Sequence, residues 1–175
     1  LYTTADENIV SINSKEGERY VGLFYFLWHG EHGDSGIFDM QKILEEQGAE
    51  VAGSISQSGK YGPVGAMHWF AEPLYGYYYA NDEWVHRKHA ELLTQANVDF
   101  LYFDVTNGYY YLNNALSVMK ACHELNEQGF DAPQVVFYTH SGAENVVRGL
   151  YNDIYSKGLY EDTWFRIDGK PVVIA

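Results

Sequence analysis

Four acidic residues are candidates for acid–base chemistry because of their positions: Glu31, Asp34, Glu72 and Asp104. Each falls where a strand is predicted to end or within a long aromatic loop. Two carboxyl groups that flank a scissile bond can hydrolyse it when one donates a proton and the other acts as base or nucleophile. Asp104 and Glu72 are the two residues predicted to be catalytic.

Asp104 follows residues 98–103, an apolar run rich in β-branched and aromatic side chains that is typical of a strand buried on both faces of a parallel sheet. Asn107 lies three residues further on. In α/β folds ligands bind at the carboxyl ends of the strands, so both side chains are predicted to face a site. Alternatively, Asp104 is a structural acid that caps the following helix by accepting hydrogen bonds from its N–H groups.

Glu72 stands among aromatic residues in the segment 68–76 and is followed by a proline. A carboxyl group enclosed by aromatic rings keeps its proton up to a higher pH and can serve as an acid. The alternative is an exposed acid on a surface loop. The sequence leaves both interpretations open.

Aromatic residues are abundant, because sixteen Tyr, nine Phe and four Trp make up 17% of the chain. Flat amphipathic rings stack on the C–H faces of sugars while their polar tips bind hydroxyl groups. Trp28, Trp69 and Tyr75 are the rings predicted to bind a saccharide. A tyrosine-rich core and rim is the competing explanation of the same composition.

Two histidines and a tyrosine complete the predicted substrate-binding residues. His29 directly follows the first predicted strand, whereas Tyr138 and His140 end the third. His140 and Asp104 occupy equivalent strand-end positions, so they are predicted to face one pocket. At His29, a neutral imidazole that hydrogen-bonds sugar hydroxyl groups is the predicted role.

The segment 29–34 contains two histidines and two acids, a composition that some metal sites share. Neither the helical i, i+4 spacing nor a second ligand pair accompanies it, and its two glycines indicate a loop. We therefore predict no metal site. The sequence also lacks G-x-S-x-G, P-loop and G-x-G-x-x-G motifs, so no cofactor is predicted.

Predicted strands and helices alternate along the chain. Apolar runs predict strands at 20–28, 98–105, 134–140 and 170–175, and amphipathic stretches predict helices at 37–47, 82–96, 111–128 and 141–158. Ser141 and Glu144 have the spacing of a capping box, and Asp168-Gly169 predicts a hairpin turn. Residues 49–80 are predicted to form an elaborated loop.

This alternation predicts an α/β fold with parallel strands and helices outside the sheet. Two architectures fit it: a complete open sheet, or the first half of a (β/α)8 TIM barrel, which needs about 250 residues. The apolar strand at the end of the chain favours the half-barrel, because an open strand edge invites aggregation. We predict an amino-terminal arm at 1–19 and half a barrel at 20–175, whose partner is the remainder of its own barrel.

The formal net charge of −13 narrows the classes of ligand. A chain this acidic repels phosphate backbones and anionic lipids, so neither nucleic acid nor a membrane surface is a predicted partner. Cys122 is the only cysteine, which excludes an intramolecular disulfide. The sequence starts without Met and has no apolar run that could cross a membrane, so we expect a processed or excised piece, located extracellularly or at the cell surface.

Residues 20–28, 62–78, 82–93 and 98–108 resemble the amino-terminal half of glycoside hydrolases of the family 71 and family 99 type. Those families are (β/α)8 enzymes that act on α-linked glucans and mannans, so the resemblance implies a carbohydrate substrate. Their paired catalytic acids lie in the later half of the barrel. The resemblance therefore assigns no catalytic residue in this sequence.

Two functions follow as hypotheses. In the first, the chain is part of a glycoside hydrolase-like enzyme and supplies substrate contacts to a site that the rest of the barrel completes. In the second, it is a non-catalytic saccharide-binding or structural module that has the aromatic groove without turnover. The extent of the encoded product would discriminate between them.

Overall fold

The computed structural model of the chain describes residues 19–28, 38–48 and 69–175. Outside these ranges lie residues 1–18 of the predicted arm, the whole segment 29–34 with His29, and most of the predicted loop. The helices and strands follow in chain order: β1 Gly22–Tyr25, α1 Met40–Gln47, α2 Glu83–Gln95, β2 Phe100–Val105, α3 Leu112–Glu127, β3 Gln134–Thr139, α4 Ala143–Asp153, β4 Arg166–Ile167, β5 Lys170–Pro171 and β6 Val173–Ile174.

Four parallel strands form the central sheet in the order β1-β2-β3-β6. All six residues of β2 pair with those of β3, from Phe100 opposite Gln134 to Val105 opposite Thr139. Strands that are consecutive in the sheet are joined through helices, the arrangement of part of a (β/α)8 barrel. The predicted α/β class is therefore confirmed.

The helices begin and end close to their predicted limits. Asp82 caps α2, because its Oδ1 accepts a hydrogen bond of 3.1 Å from the Val85 N–H. The predicted hairpin is present as the antiparallel pair β4 and β5, with Asp168 and Gly169 at φ of 50° and 74° in its turn. Within the part of the chain that the structure describes, no helix is long and apolar enough to cross a membrane.

The hydrophobic core lies between one face of the sheet and the helices. Leu101, Phe103 and Val105 alternate along β2 and are fully buried on that face against α3, together with Phe137 of β3. The other face of β2 carries Phe100, Tyr102 and Asp104, which are only half-buried. The prediction that this strand is buried on both faces was wrong, because on the second face Phe165 packs on Phe100, whereas Tyr102 and Asp104 stay partly exposed.

The first strand was also predicted to be buried, and this was wrong. β1 lies at the edge of the sheet and pairs only with β2 among the described strands. Its side chains are therefore largely exposed, with 42% of Leu23 and 37% of Phe24 accessible. Tyr25 at the end of the strand packs against the core, and Leu27, just beyond the strand, is buried within it.

The predicted capping box at the start of α4 is absent. Gly142 occupies the N-cap position with φ of 63°, and no side chain caps the helix. Glu144 instead forms an ion pair of 2.8 Å with Arg148, one turn along the helix. A glycine at the cap places Glu144 two residues beyond it, whereas the box requires three.

Candidate functional site

Three adjacent parallel strands bring predicted site residues to one edge of the sheet. Trp28 follows β1, Asp104 is near the end of β2, and Tyr138 and His140 are at the end of β3. Asp104 and Tyr138 are register partners, so their side chains lie on the same face. We call the group of Trp28, Asp104, Asn107, Tyr138 and His140 at the carboxyl ends of these strands the strand-end site. Its grouping of residues from three distant segments follows from the parallel order of the strands.

Asp104 binds its own loop through one carboxylate oxygen. Its Oδ1 accepts hydrogen bonds from the Thr106 backbone N–H at 3.1 Å and from the Thr106 hydroxyl at 2.7 Å. Oδ2 accepts no hydrogen bond from the described residues. The carboxylate thus has a structural role in the turn, and its second oxygen is available for a ligand hydroxyl.

The loops after β2 and β3 are tied together beside Asp104. The Ser141 backbone N–H donates to the Thr106 carbonyl at 2.8 Å. On the same loop, the Asn107 amide Nδ2 donates to the Tyr111 hydroxyl at 2.6 Å. Asn107 itself is exposed, as is His140. These bonds fix the backbone on which the polar side chains of the site stand.

An aromatic row lies on the uncovered face of the sheet. It consists of Phe24, Tyr102 and Tyr138, one ring from each of three strands, whose centroids are 5.3 to 6.3 Å apart in edge-on contacts. Phe26 continues the contacts from Phe24 to Trp28 at 5.1 and 5.3 Å. Such rings offer apolar area with hydroxyl tips, which suits the faces of sugars.

Glu72 and Trp69 belong to a different group of contacts. The Glu72 carboxylate is 3.1 Å from the Lys42 ammonium of α1, and 55% of its side chain is exposed. The structure therefore places Glu72 on the surface, as in the alternative interpretation of an exposed loop acid. Trp69 contacts Tyr77 and Tyr78 edge-on at 5.7 and 5.3 Å.

The polar cluster that surrounds Glu72 was not predicted from the sequence. Buried Asp39 caps α1 through the Lys42 backbone N–H at 3.0 Å, and its other oxygen accepts a hydrogen bond from the Tyr77 hydroxyl. The bond from Tyr77 holds the pKa of Asp39 below its usual value, and the same bond raises the pKa of Tyr77. The N-cap preference of Asp was the available signal, but the helix was predicted to begin at position 37, three residues before its first residue, Met40.

Tyr75 packs on α2 and not at the strand-end site. Its ring contacts Trp84 at 5.2 Å and His89 at 6.1 Å. His89 also shares a hydrogen bond of 2.9 Å with the Tyr25 hydroxyl, beside a cleft of about 180 Å³ that Tyr78 helps to line. Burial raises the pKa of both Tyr25 and Tyr78 above the ordinary value of a tyrosine.

The described residues include no group of three or more His, Cys, Asp or Glu side chains that could hold a metal ion. His86 of α2 and His123 of α3 each have a side-chain partner. His86 is buried and its Nδ1 is 2.8 Å from the Ser117 hydroxyl, and His123 Nδ1 is 2.8 Å from Asp162.

Comparison with solved structures yields a match to the GH99 endo-alpha-mannosidase from Bacteriodes thetaiotaomicron, solved in complex with bis-tris propane. The TM-score is 0.53 at 16% sequence identity, and the match covers 89% of this chain but 41% of that chain. No protein-family model matches the sequence, and no curated protein does.

At this identity the likeness shows the fold. The predicted resemblance to family 99 is therefore supported as a distant, glycoside hydrolase-like fold, whereas the resemblance to family 71 stays a prediction. The chain spans less than half of the mannosidase chain that it matches. The roles predicted for the site residues stay predictions, now with known positions for all of them except His29.

Proposed function

We propose that this chain is part of a carbohydrate-active enzyme of the glycoside hydrolase type, and that it contributes substrate-binding residues at the strand-end site. The observation that carries the proposal is the convergence of Trp28, Asp104, Tyr138 and His140 on the carboxyl ends of three adjacent parallel strands. In (β/α)8 enzymes this is the end at which substrates bind. The glycoside hydrolase fold of the structural neighbour adds support.

The site offers the two kinds of contact that a saccharide needs. Trp28 and Tyr138 present partly exposed rings, and the free Oδ2 of Asp104 with the exposed His140 present groups that hydrogen-bond hydroxyls. Of the residues predicted to be catalytic, Asp104 lies at this site. Glu72, held by Lys42 on the surface, is a weaker candidate for the second acid.

The remainder of the barrel is the proposed partner of this chain. The uncovered face of the sheet carries the aromatic row, and the β1 edge carries exposed Tyr20, Val21 and Leu23. Further parallel strands would cover both, since closure of a barrel removes strand edges. The matched mannosidase chain, which extends well beyond the matched region, supports this arrangement.

Calorimetric titration tests the proposal. The product of the complete reading frame is titrated with maltotetraose and with α-mannotetraose. We expect Trp28→Ala and Tyr138→Ala to weaken binding about tenfold or more each, because stacking on a sugar face is lost. Phe130→Ala is the matched control, since Phe130 is an exposed aromatic residue before β3, at the opposite end of the sheet. Equal effects of all three variants, or no binding by the parent protein, would refute the proposal.

A non-catalytic saccharide-binding module is the second candidate. It is favoured by the bonds of the two predicted acids, because Asp104 holds Thr106 and Glu72 holds Lys42. Release of reducing ends from the same oligosaccharides separates the two functions. Binding without hydrolysis by the complete product would favour the module.

A further inference from the structure

A buried amide reaches from α3 to the backbone that carries Trp28. The Asn114 side chain, 1% exposed, donates from Nδ2 to the Leu27 carbonyl oxygen at 2.7 Å, across 87 positions of sequence. Its neighbours on the buried face of α3 are Ala115 and Val118, which belong to the hydrophobic core. A polar side chain in such surroundings is stable only when its hydrogen bonds are made.

The Leu27 carbonyl lies beyond the last residues that are paired in the sheet. The pairing of β1 with β2 ends at Tyr25 opposite Phe103, so residues 26–28 continue beyond the ladder. Leu27 is itself 1% exposed, and a buried backbone carbonyl must find a donor. Asn114 supplies that donor at the residue immediately before Trp28.

The start of α3 is also hydrogen-bonded to the loop after β2, on the other side of the strand-end site from Trp28. Tyr111 precedes the helix and accepts the hydrogen bond from Asn107, and Asn114 lies three residues further on. The start of α3 therefore contacts both the β1 end, through Leu27, and the loop that follows Asp104. It sets the spacing between the ring of Trp28 and the polar groups of β2.

We propose that Asn114 is a positioning residue for Trp28: its amide fixes the last backbone carbonyl before the indole and so aligns the ring with the Asp104 side of the site. This inference rests on the proposed saccharide-binding function. Asn114 does not touch the ligand. Its effect on affinity is transmitted through the orientation of Trp28.

The test substitutes Asn114 in the complete product and measures two properties. Asn114→Leu keeps the approximate size and removes the donor, and Asn114→Ala leaves room for a water molecule on the Leu27 carbonyl if the first variant does not fold. We expect the dissociation constant for α-mannotetraose or maltotetraose to rise about tenfold. We also expect a change in tryptophan emission that is absent when the same substitution is made in a Trp28→Phe background.

Val118→Ala is the matched control, since Val118 is equally buried on the same helix and belongs to the core. It should lower stability while leaving affinity and Trp28 emission unchanged. The inference is overturned if the Asn114 variants retain parental emission and affinity, or if Val118→Ala reproduces both changes. If Trp28→Ala has no effect on saccharide binding, the proposed function fails, whereas the emission experiment still decides whether Asn114 orients Trp28.

Discussion

Asp104 can be separated into a structural oxygen and a ligand-binding oxygen by a single substitution. In Asp104→Asn the amide oxygen can still accept both hydrogen bonds from Thr106, while the charge and the second acceptor are lost. We expect activity or saccharide affinity of the complete product to fall about tenfold or more, equivalent to about 1.4 kcal/mol. The melting temperature should change by only a few degrees.

Asp99→Asn provides the control for this experiment. Asp99 precedes the same strand at its opposite end, and its Oδ2 accepts the Val21 backbone N–H at 2.7 Å. It should affect stability alone. If Asp104→Asn instead lowers stability strongly and leaves turnover per folded molecule unchanged, Asp104 is a structural acid and the strand-end site loses its main polar residue.

His86 should make stability depend on pH. Burial, and then the proximity of His89, lower its pKa to about 4, against the opposing effects of Asp82, the Ala80 carbonyl and Glu83. The unfolded chain takes up a proton at this histidine near pH 6.5. The contribution of His86 to the free energy of unfolding is therefore fully present above that pH and is lost as pH falls towards 4. A pKa shift of this size corresponds to a stability contribution of about 3 kcal/mol at neutral pH.

Chemical denaturation of the parent and His86→Gln between pH 7 and pH 4 measures this contribution. Glutamine cannot gain a proton, so the stability difference between the two proteins should shrink as pH falls. A difference that stays constant over this range would show that His86 does not titrate with folding.

At the scale of the elements, β1 meets β2 through a glycine that leaves room for a ring. A Cβ atom built on Gly22 would lie 2.4 Å from the Phe100 ring, which itself contacts Phe165 at 4.6 Å. Gly22→Ala should therefore force the ring aside and lower the free energy of unfolding by about 1–3 kcal/mol.

The double variant Gly22→Ala with Phe100→Leu tests the cause of that loss. A smaller side chain at position 100 relieves the contact, so the two substitutions should be less than additive in thermal melts. Full additivity would mean that Gly22 is required for another reason. Both substitutions alter the pairing of β1 with β2, since Gly22 lies opposite Phe100.

The order and type of the elements could be predicted because apolar periodicity is a local property. The four strands of the central sheet and the four helices lie within a few residues of their predicted ranges. Burial of β1 could not be predicted, since it depends on which strands lie beside it and not on its own residues. The prediction of the cap of α4 was wrong for a local reason, because Gly142 and not Ser141 occupies the N-cap position.

The candidate site was predictable to the same extent. Parallel order alone places Asp104 and the end of β3 at one edge, so their proximity followed from the fold. The partner of Glu72 did not, because Lys42 is 30 residues away and reaches it through α1. Asn114 was likewise hidden, since nothing in a helical stripe indicates that one polar member bonds a distant carbonyl.

For the whole molecule, the uncovered sheet face and the acidic charge act in opposite directions. Exposed Tyr20, Leu23 and Phe26 on the first edge favour association, whereas a net charge of −13 opposes it at low salt. We expect the isolated 175-residue chain to melt without a sharp transition and to self-associate more as salt screens the repulsion.

Sedimentation velocity and circular dichroism, each at low and high ionic strength, measure these two properties. The complete reading-frame product is the comparison, and it should be more stable and insensitive to salt. A 175-residue monomer that melts cooperatively at both ionic strengths would show that four strands suffice for a stable domain.

The sheet order β1-β2-β3-β6 also has a consequence for the time course of biosynthesis. Each strand pairs with one already made, so a nascent polypeptide leaving the ribosome can add strands singly and in sequence. Until the fourth strand emerges, the β3 edge is as open as the β1 edge. Ser141 and Thr106 both precede the fourth strand in the chain, so the hydrogen bond that joins the loops bearing Asp104 and His140 can form before that strand docks.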